Sequence, residues 1–300
     1  MQMKVYTSRD FDTVYDKRGI NNQKHNNYTY LEGYPKLKDN IIPVWIADMD
    51  FVICESVQLA QKEIFLQNDF STKQYENYSK NAMICLQNWL KNKHNTDIKL
   101  DWISWTQHTV VGYLDAVKAL TQEGENIITL TPNYYQMHVE AQRLNRDIDP
   151  CPLKTDNNKY EIDFELLEEK LKIQKNKVLF IANPHNPTGR TWTKEELHKM
   201  SELIVKYDKY IISDDVFADL AYGTYNNIYS SHPEIGNRTI NLFGPSKSFN
   251  VSGNQCSSAI IENPEIREKY RFIQGQNGFK PSIQQFACFL VFIRKFPLFG

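Results

Sequence analysis

Lys247 stands between two serines in FGPSKSFN (243–250), directly after the apolar run Thr239–Phe243. A lysine at the end of a buried strand is either an ordinary surface side chain or an amine aimed at a ligand. Asp214 opens DDVFADL (214–220), again just past an apolar run. Its carboxylate is either a helix N-cap or a buried partner for a cationic ring nitrogen. NPHNPTG (183–189) follows a third apolar run. Its prolines fix φ and keep the preceding residues out of the α region. That accounts for an extended turn but not for two asparagines at this spacing, whose amides can address a ligand. Tyr134, in TPNYY (131–135), offers either an aromatic ring at a strand end or plain core packing. WTQHTVVGY (105–113) opens a helix. There the hydroxyl of Thr109 and the free backbone N–H groups either receive a phosphate at the positive end of the helix dipole or cap the helix without a ligand.

These residues need a frame that brings strand ends together. Short apolar runs at 126–130, 177–182, 209–213, 239–243 and 257–261 read as buried strands. Between them, 109–120, 135–144 and 194–207 carry helical spacing. TKEE (193–196) gives the last of these a capping box, Thr193 with Glu196. Strand–helix alternation predicts an α/β fold with a mostly parallel sheet and helices on both faces. Ligands of such sheets bind at the carboxyl ends of the strands, where each of the motifs above falls.

Three hundred residues suffice for one large α/β domain or two modest ones. Thirty-five basic against thirty-six acidic residues leave a net charge of −1 and no basic stripe, so neither nucleic acid nor an anionic membrane is an expected partner. Five widely spaced cysteines contain no C-x-x-C pair, which argues against a disulfide framework and a zinc ribbon; no metal site is expected. The N-terminal stretch has no signal-peptide-like apolar run. FACFLVFI (286–293) is too short to span a bilayer. A cytosolic, reduced protein is the expectation.

NPHNPTG, SDD and SKSFN, in this order and spacing, resemble the pyridoxal-phosphate enzymes of fold type I. More narrowly, FDTVYDKRG (11–19), WIADMDF (45–51), TPNYY and GPSKSFN resemble the MalY/PatB-type cystathionine β-lyase branch. The resemblance implies the large domain of that fold at 41–285. An N-terminal segment, 1–40, would join a small domain, and 286–300 would begin the C-terminal part. It implies pyridoxal 5'-phosphate as cofactor and Lys247 as the amine that bonds to its aldehyde and then carries protons. A partly desolvated site is what makes a lysine suitable for this. Asp214 would pair with the pyridine nitrogen, so that the ring accepts electrons released at Cα. Asn186 would bind the ring hydroxyl and Tyr134 would stack on the ring. Ser246, Thr109 and the N–H groups of His108 to Val110 would hold the phosphate. The implied reaction is β-elimination from a small sulfur-containing amino acid, and the implied assembly is a homodimer.

This sequence also departs from the pattern. Phe217 stands where relatives carry a histidine, and Gln107-His108 where they often carry Pro-Gly. Tyr75 is the match for the tyrosine that a neighbouring subunit lends to the phosphate. Relatives continue into a small domain that supplies a carboxylate-binding arginine, whereas this sequence ends at Gly300, with no arginine after Arg294. The expectation is a largely present cofactor site with weak or absent turnover, and an apolar tail lacking the surface it should pack on. An aminotransferase of the same fold, or a non-catalytic protein that keeps the fold, are the competing readings.

Overall fold

The structure, a computed structural model, describes residues 7–13, 15–17, 22–26, 42–66, 71–157, 159–278 and 280–290. In chain order the helices and strands begin with α1 (Ser8–Phe11), α2 (Gln23–Asn26), α3 (Glu55–Phe65), α4 (Thr72–His94), β1 (Ile103–Thr106) and α5 (Thr109–Leu120). Next come β2 (Asn126–Thr131), α6 (Tyr135–Arg143), β3 (Asp147–Pro152), β4 (Lys154–Asp156), β5 (Lys159–Glu161) and α7 (Phe164–Lys172). The chain continues through β6 (Asn176–Ala182), α8 (Lys194–Lys206), β7 (Tyr210–Asp214), β8 (Thr239–Phe243), β9 (Ser257–Ile261), α9 (Pro264–Gln276) and α10 (Ile283–Leu290).

Seven strands form one sheet in the order β1-β9-β8-β7-β6-β2-β3. The run from β3 to β8 is parallel throughout. β9 returns antiparallel to β8 after the connection 244–256, and β1 pairs antiparallel with β9. β1 therefore points the same way as β8. The consequence for function is direct: the carboxyl ends of β1, β2, β6, β7 and β8 share one edge. The residues just beyond those ends are Thr109, Tyr134, Asn186, Asp214 at the last strand position, and Lys247.

Alternation along the strands builds two layers, as a period of two demands. Ile127, Val178, Phe180, Ile212, Ile240 and Leu242 face one core with residues of α5, α6 and α9. Ile128, Leu130, Leu179, Ile181 and Ile211 face the other with α7 and α8. Further along that second face, α4 and α10 cover Ile103, Trp105, Phe243 and Ile260. α8 starts with the predicted capping box: Glu196 N donates to Thr193 Oγ1 at 3.1 Å, and Thr193 N donates to Glu196 Oε2 at 2.9 Å.

α10 corrects one expectation. Its Phe286, Ala287, Cys288 and Phe289 are buried, and the rings of Phe286 and Phe289 lie 5.2 and 4.6 Å from Trp105. The described part of the apolar tail thus has a surface, supplied by α4, α3 and β1; Arg294 and the rest of 291–300 lie outside the described residues. Most of the 1–40 segment lies outside them too. Among the described residues no helix is long and apolar enough to cross a membrane, and no cluster of metal-ligating side chains occurs.

Candidate active site

Asp214 closes β7 in register with Ala182 on one side and Leu242 on the other, so the ladder carries its carboxylate into the sheet's carboxyl edge. The sequence placed this strand one residue earlier; pairing on both sides extends it to Asp214. The side chain is buried and accepts from Val216 N at 3.2 Å. Burial pushes its pKa up to about 7, with the neighbouring Asp215 adding to the rise; Val216 N and the positive charge of Lys247 oppose it. An N-cap to a short turn describes its backbone role, but a carboxylate this buried with one donor retains unused acceptor capacity.

Lys247 lies in the loop that joins β8 to β9. Gly244 begins that loop because a side chain has no room there: a Cβ would sit 3.0 Å from Cys256 O and 3.1 Å from Ser257 Cα. The loop then closes on itself through Phe249 N to Pro245 O (3.0 Å) and Val251 N to Ser246 O (2.9 Å). The Lys247 side chain is half-buried, and its amine forms no hydrogen bond or ion pair with the described residues. Ser246 is likewise half-buried, and the buried Oγ of Ser248 has no partner among the described residues.

Asn250 ties this loop to the ADMDF segment. In a left-handed conformation (φ 55°), it accepts from Met49 N at 3.1 Å and donates to Met49 O at 3.2 Å and Phe51 O at 3.1 Å. From the other side Lys24 donates to Asp48 O at 2.8 Å and pairs with Asp50 at 2.9 Å, where His25 also binds. The segment that marked the branch is thus a strap fastened to the lysine loop.

In the 183–189 turn the two asparagines divide. Asn183 is spent on structure: it donates to Asn226 O at 2.8 Å and accepts from Trp192 N at 3.3 Å. The Asn186 side chain is half-buried and has no hydrogen-bond partner among the described residues. His185, between them, is buried against Trp192 and Thr188, and burial pulls its pKa down to about 4, so it is neutral. Tyr134 is half-buried, donates to Gln136, and has its pKa raised by burial, with Tyr135 and Asp214 adding to the rise. That last contribution places the ring within electrostatic reach of Asp214.

His108 is the N-cap residue of α5, extended at φ −157°, and its side chain makes no capping bond. The first-turn N–H groups, those of Thr109 and Val110 included, therefore lack intrahelical acceptors. Close packing fixes this helix end, since a Cβ on Gly112 would meet Leu242 and Thr106 at 3.0 Å. Gln107 donates to Gln255 at 2.5 Å, joining the α5 approach to the far end of the lysine loop. Phe217 is half-buried just beyond Asp214 and adds no polar group. Tyr75 differs from the other candidates: its ring packs edge-on against Phe286 at 5.2 Å in the α4–α10 layer, where burial raises its pKa.

Four groups at one edge thus lack full partners among the described residues: a buried carboxylate, an amine, an amide, and a helix N-terminus. This donor and acceptor set fits a phosphorylated aldehyde with a basic ring nitrogen and a ring hydroxyl. Sequence reading passed over Asn133 and Ser248, whose buried Nδ2 and Oγ are unpartnered, and Asp215 and Asn250. All four lie inside the quoted motifs, but nothing in their types separated them from turn residues.

A profile described as aminotransferase class I and II matches residues 46–289. The chain belongs to that family. Among family members, the cystathionine β-lyase PatB of Bacillus subtilis is 31% identical over 239 residues, 79% of this chain and 61% of PatB. Protein MalY of Escherichia coli is 25% identical over 281 residues, 91% of this chain and 69% of MalY. The chain therefore spans roughly two thirds of the length of these relatives. Cystalysin from Treponema denticola, whose crystal structure contains pyridoxal 5'-phosphate, superposes with a TM-score of 0.84 at 28% identity, covering 94% of this chain and 71% of cystalysin. The fold is that of the fold-type I transferases, as the sequence led us to expect.

Proposed function

We propose that this chain is a pyridoxal 5'-phosphate-dependent carbon–sulfur β-lyase acting on a small sulfur-containing amino acid such as cystathionine or cysteine. The observation that carries the reading is the buried, under-bonded Asp214 at the same sheet edge as Lys247, whose amine has no partner among the described residues, in a chain 31% identical to a cystathionine β-lyase. Bound there, the cofactor supplies an aldehyde for the amine and an electron-accepting ring.

The residues then have separate tasks. Lys247 would be the amine that holds the aldehyde, and its Nζ would carry the proton taken from the substrate Cα. Asp214 would keep a proton on the ring nitrogen, Asn186 would donate to the ring hydroxyl, and Tyr134 would supply an aromatic face for the ring. Ser246, Thr109 and the N–H groups of His108 and Val110 hold the phosphate where the dipole of α5 favours negative charge. Loss of the Cα proton expels the thiolate from Cβ, so that cystathionine and water give homocysteine, pyruvate and ammonia. A homodimer completes the reading, and sedimentation would test it.

Purified protein with added cofactor should release pyruvate and a free thiol from L-cystathionine. Transfer of the amino group to a 2-oxo acid without pyruvate would replace this reading with a transaminase. Cofactor binding with neither reaction would make the chain a non-catalytic member of the family.

A further inference from the structure

β7 ends at Asp214 and a second carboxylate, Asp215, follows it directly; the proposed chemistry uses only the first. Asp215 is 1% exposed. Ser213 Oγ donates to its Oδ1 at 2.6 Å, Asn241 Nδ2 to its Oδ2 at 2.7 Å, and the Tyr225 hydroxyl to the same Oδ2. The donors come from β7, from β8 and from the 221–227 loop. Tyr225 is itself held in place: Asn227 Nδ2 donates to its oxygen at 3.0 Å, and the His94 ring meets it edge-on at 4.8 Å. His94 is fixed in turn by Asp219 at 2.6 Å, which also accepts from Trp89 Nε1 at 2.9 Å. So much rigid support for one buried charge, one residue from the candidate ring-nitrogen partner, calls for a function.

We infer that Asp215 is a positioning residue for cofactor binding: its carboxylate, held by three donors, is a fixed negative charge behind Asp214 that makes Asp214 the stronger holder of a proton at the ring nitrogen. The inference rests on the proposed cofactor reading. Two like charges this close in a buried site cannot ionise independently. The one with more donors ionises first, and here that is Asp215, with three against the single Val216 N on Asp214. Burial raises the pKa of both, and the charge of Asp215 adds to the rise of Asp214. The charged and titratable groups facing the pair are Lys247 from the β8–β9 loop, Tyr134 before α6, His94 from α4, and Tyr225, Asp219 and Tyr229 from the segment after β7. Lys247 pulls Asp214 toward ionisation and His94 does the same for Asp215. Asp215 is thereby kept charged, and the burden of the shared proton falls on Asp214.

The test is a carboxylate titration by NMR on the full, cofactor-free chain carrying 13C-labelled aspartate, with Asp214→Asn and Asp215→Asn assigning the two signals. In the wild type Asp214 should titrate above Asp215. In Asp215→Asn the Asp214 midpoint should fall, and Asp215→Glu, which keeps the charge, should restore it. With pyridoxal 5'-phosphate added, Asp215→Asn should bind several-fold more weakly at pH 7, and the pH at which the bound cofactor changes its absorption should move down. Asp214 titrating below Asp215 in the wild type, or an Asp214 midpoint indifferent to Asp215→Asn, would overturn the inference. Should Asp215→Asn fail to fold, the wild-type order decides alone. Failure of the wild type to bind the cofactor would count against the proposed function, while the titration still judges the carboxylate pair.

Discussion

Asp214→Asn should separate stability from function. The wild-type carboxylate is held in a site that disfavours its charge, with its pKa raised from an ordinary 3.8 to about 7. A group whose folded pKa is raised contributes its stability below the unfolded pKa and loses it as pH rises through the folded one. The cofactor-free wild type should therefore weaken between pH 4 and pH 7 and stay weaker above. A shift of roughly 3 units at about 1.4 kcal/mol per unit bounds the effect at about 4 kcal/mol. Asparagine keeps the shape and the Val216 N hydrogen bond but carries no charge. Asp214→Asn without cofactor should thus melt close to the wild type at pH 4 and above it at pH 8, while its affinity for pyridoxal 5'-phosphate falls. Urea unfolding at the two pH values, with and without cofactor, is the assay. A variant less stable than the wild type at pH 8, or a wild type whose stability does not fall across this range, would refute the reasoning.

Other outcomes follow from the contacts around the site. Asn250→Ala removes three hydrogen bonds between the lysine loop and residues 49–51; it should cost about 1–3 kcal/mol and raise amide exchange at 49–51, both measurable by denaturation and hydrogen exchange. Gly112→Ala pushes a methyl to 3.0 Å from Leu242 and Thr106; overpacking should cost about 1–3 kcal/mol in a thermal melt and loosen the N-terminal end of α5. Phe289→Ala, beneath Trp105 in the α10 layer, should lose about 3–5 kcal/mol, read as a lower urea midpoint.

Much of the frame was legible because buried parallel strands leave unbroken apolar runs. The runs at 126–130, 177–182, 239–243 and 257–261 became β2, β6, β8 and β9 with ends shifted by a residue at most. The antiparallel sense of β9 was not legible, since direction is set by the connection 244–256 and not by composition. α4 escaped notice because its stripe (Ala82, Cys85, Leu86, Leu90) is thin within a polar, Asn- and Lys-rich stretch. At the site, the residue types at Lys247 and Asp214 alone left structural uses open, and the resemblance of the motifs around Lys247, Asp214 and Asn186 is what singled these residues out. Asp215 did not: its part depends on Ser213, Tyr225 and Asn241, brought to it by three separate elements. The fate of Asn183 was hidden for the same reason. Its partners Asn226 and Trp192 are distant or unremarkable in sequence.

The most direct test of the account is whether the cofactor attaches to Lys247. Pyridoxal 5'-phosphate added to the purified chain should produce a near-visible absorption band. Borohydride should abolish it and leave a stable label, which peptide mapping should place on Lys247, and Lys247→Ala should show neither band nor label. A label on another lysine, or no band with the wild type, would contradict the account at its centre.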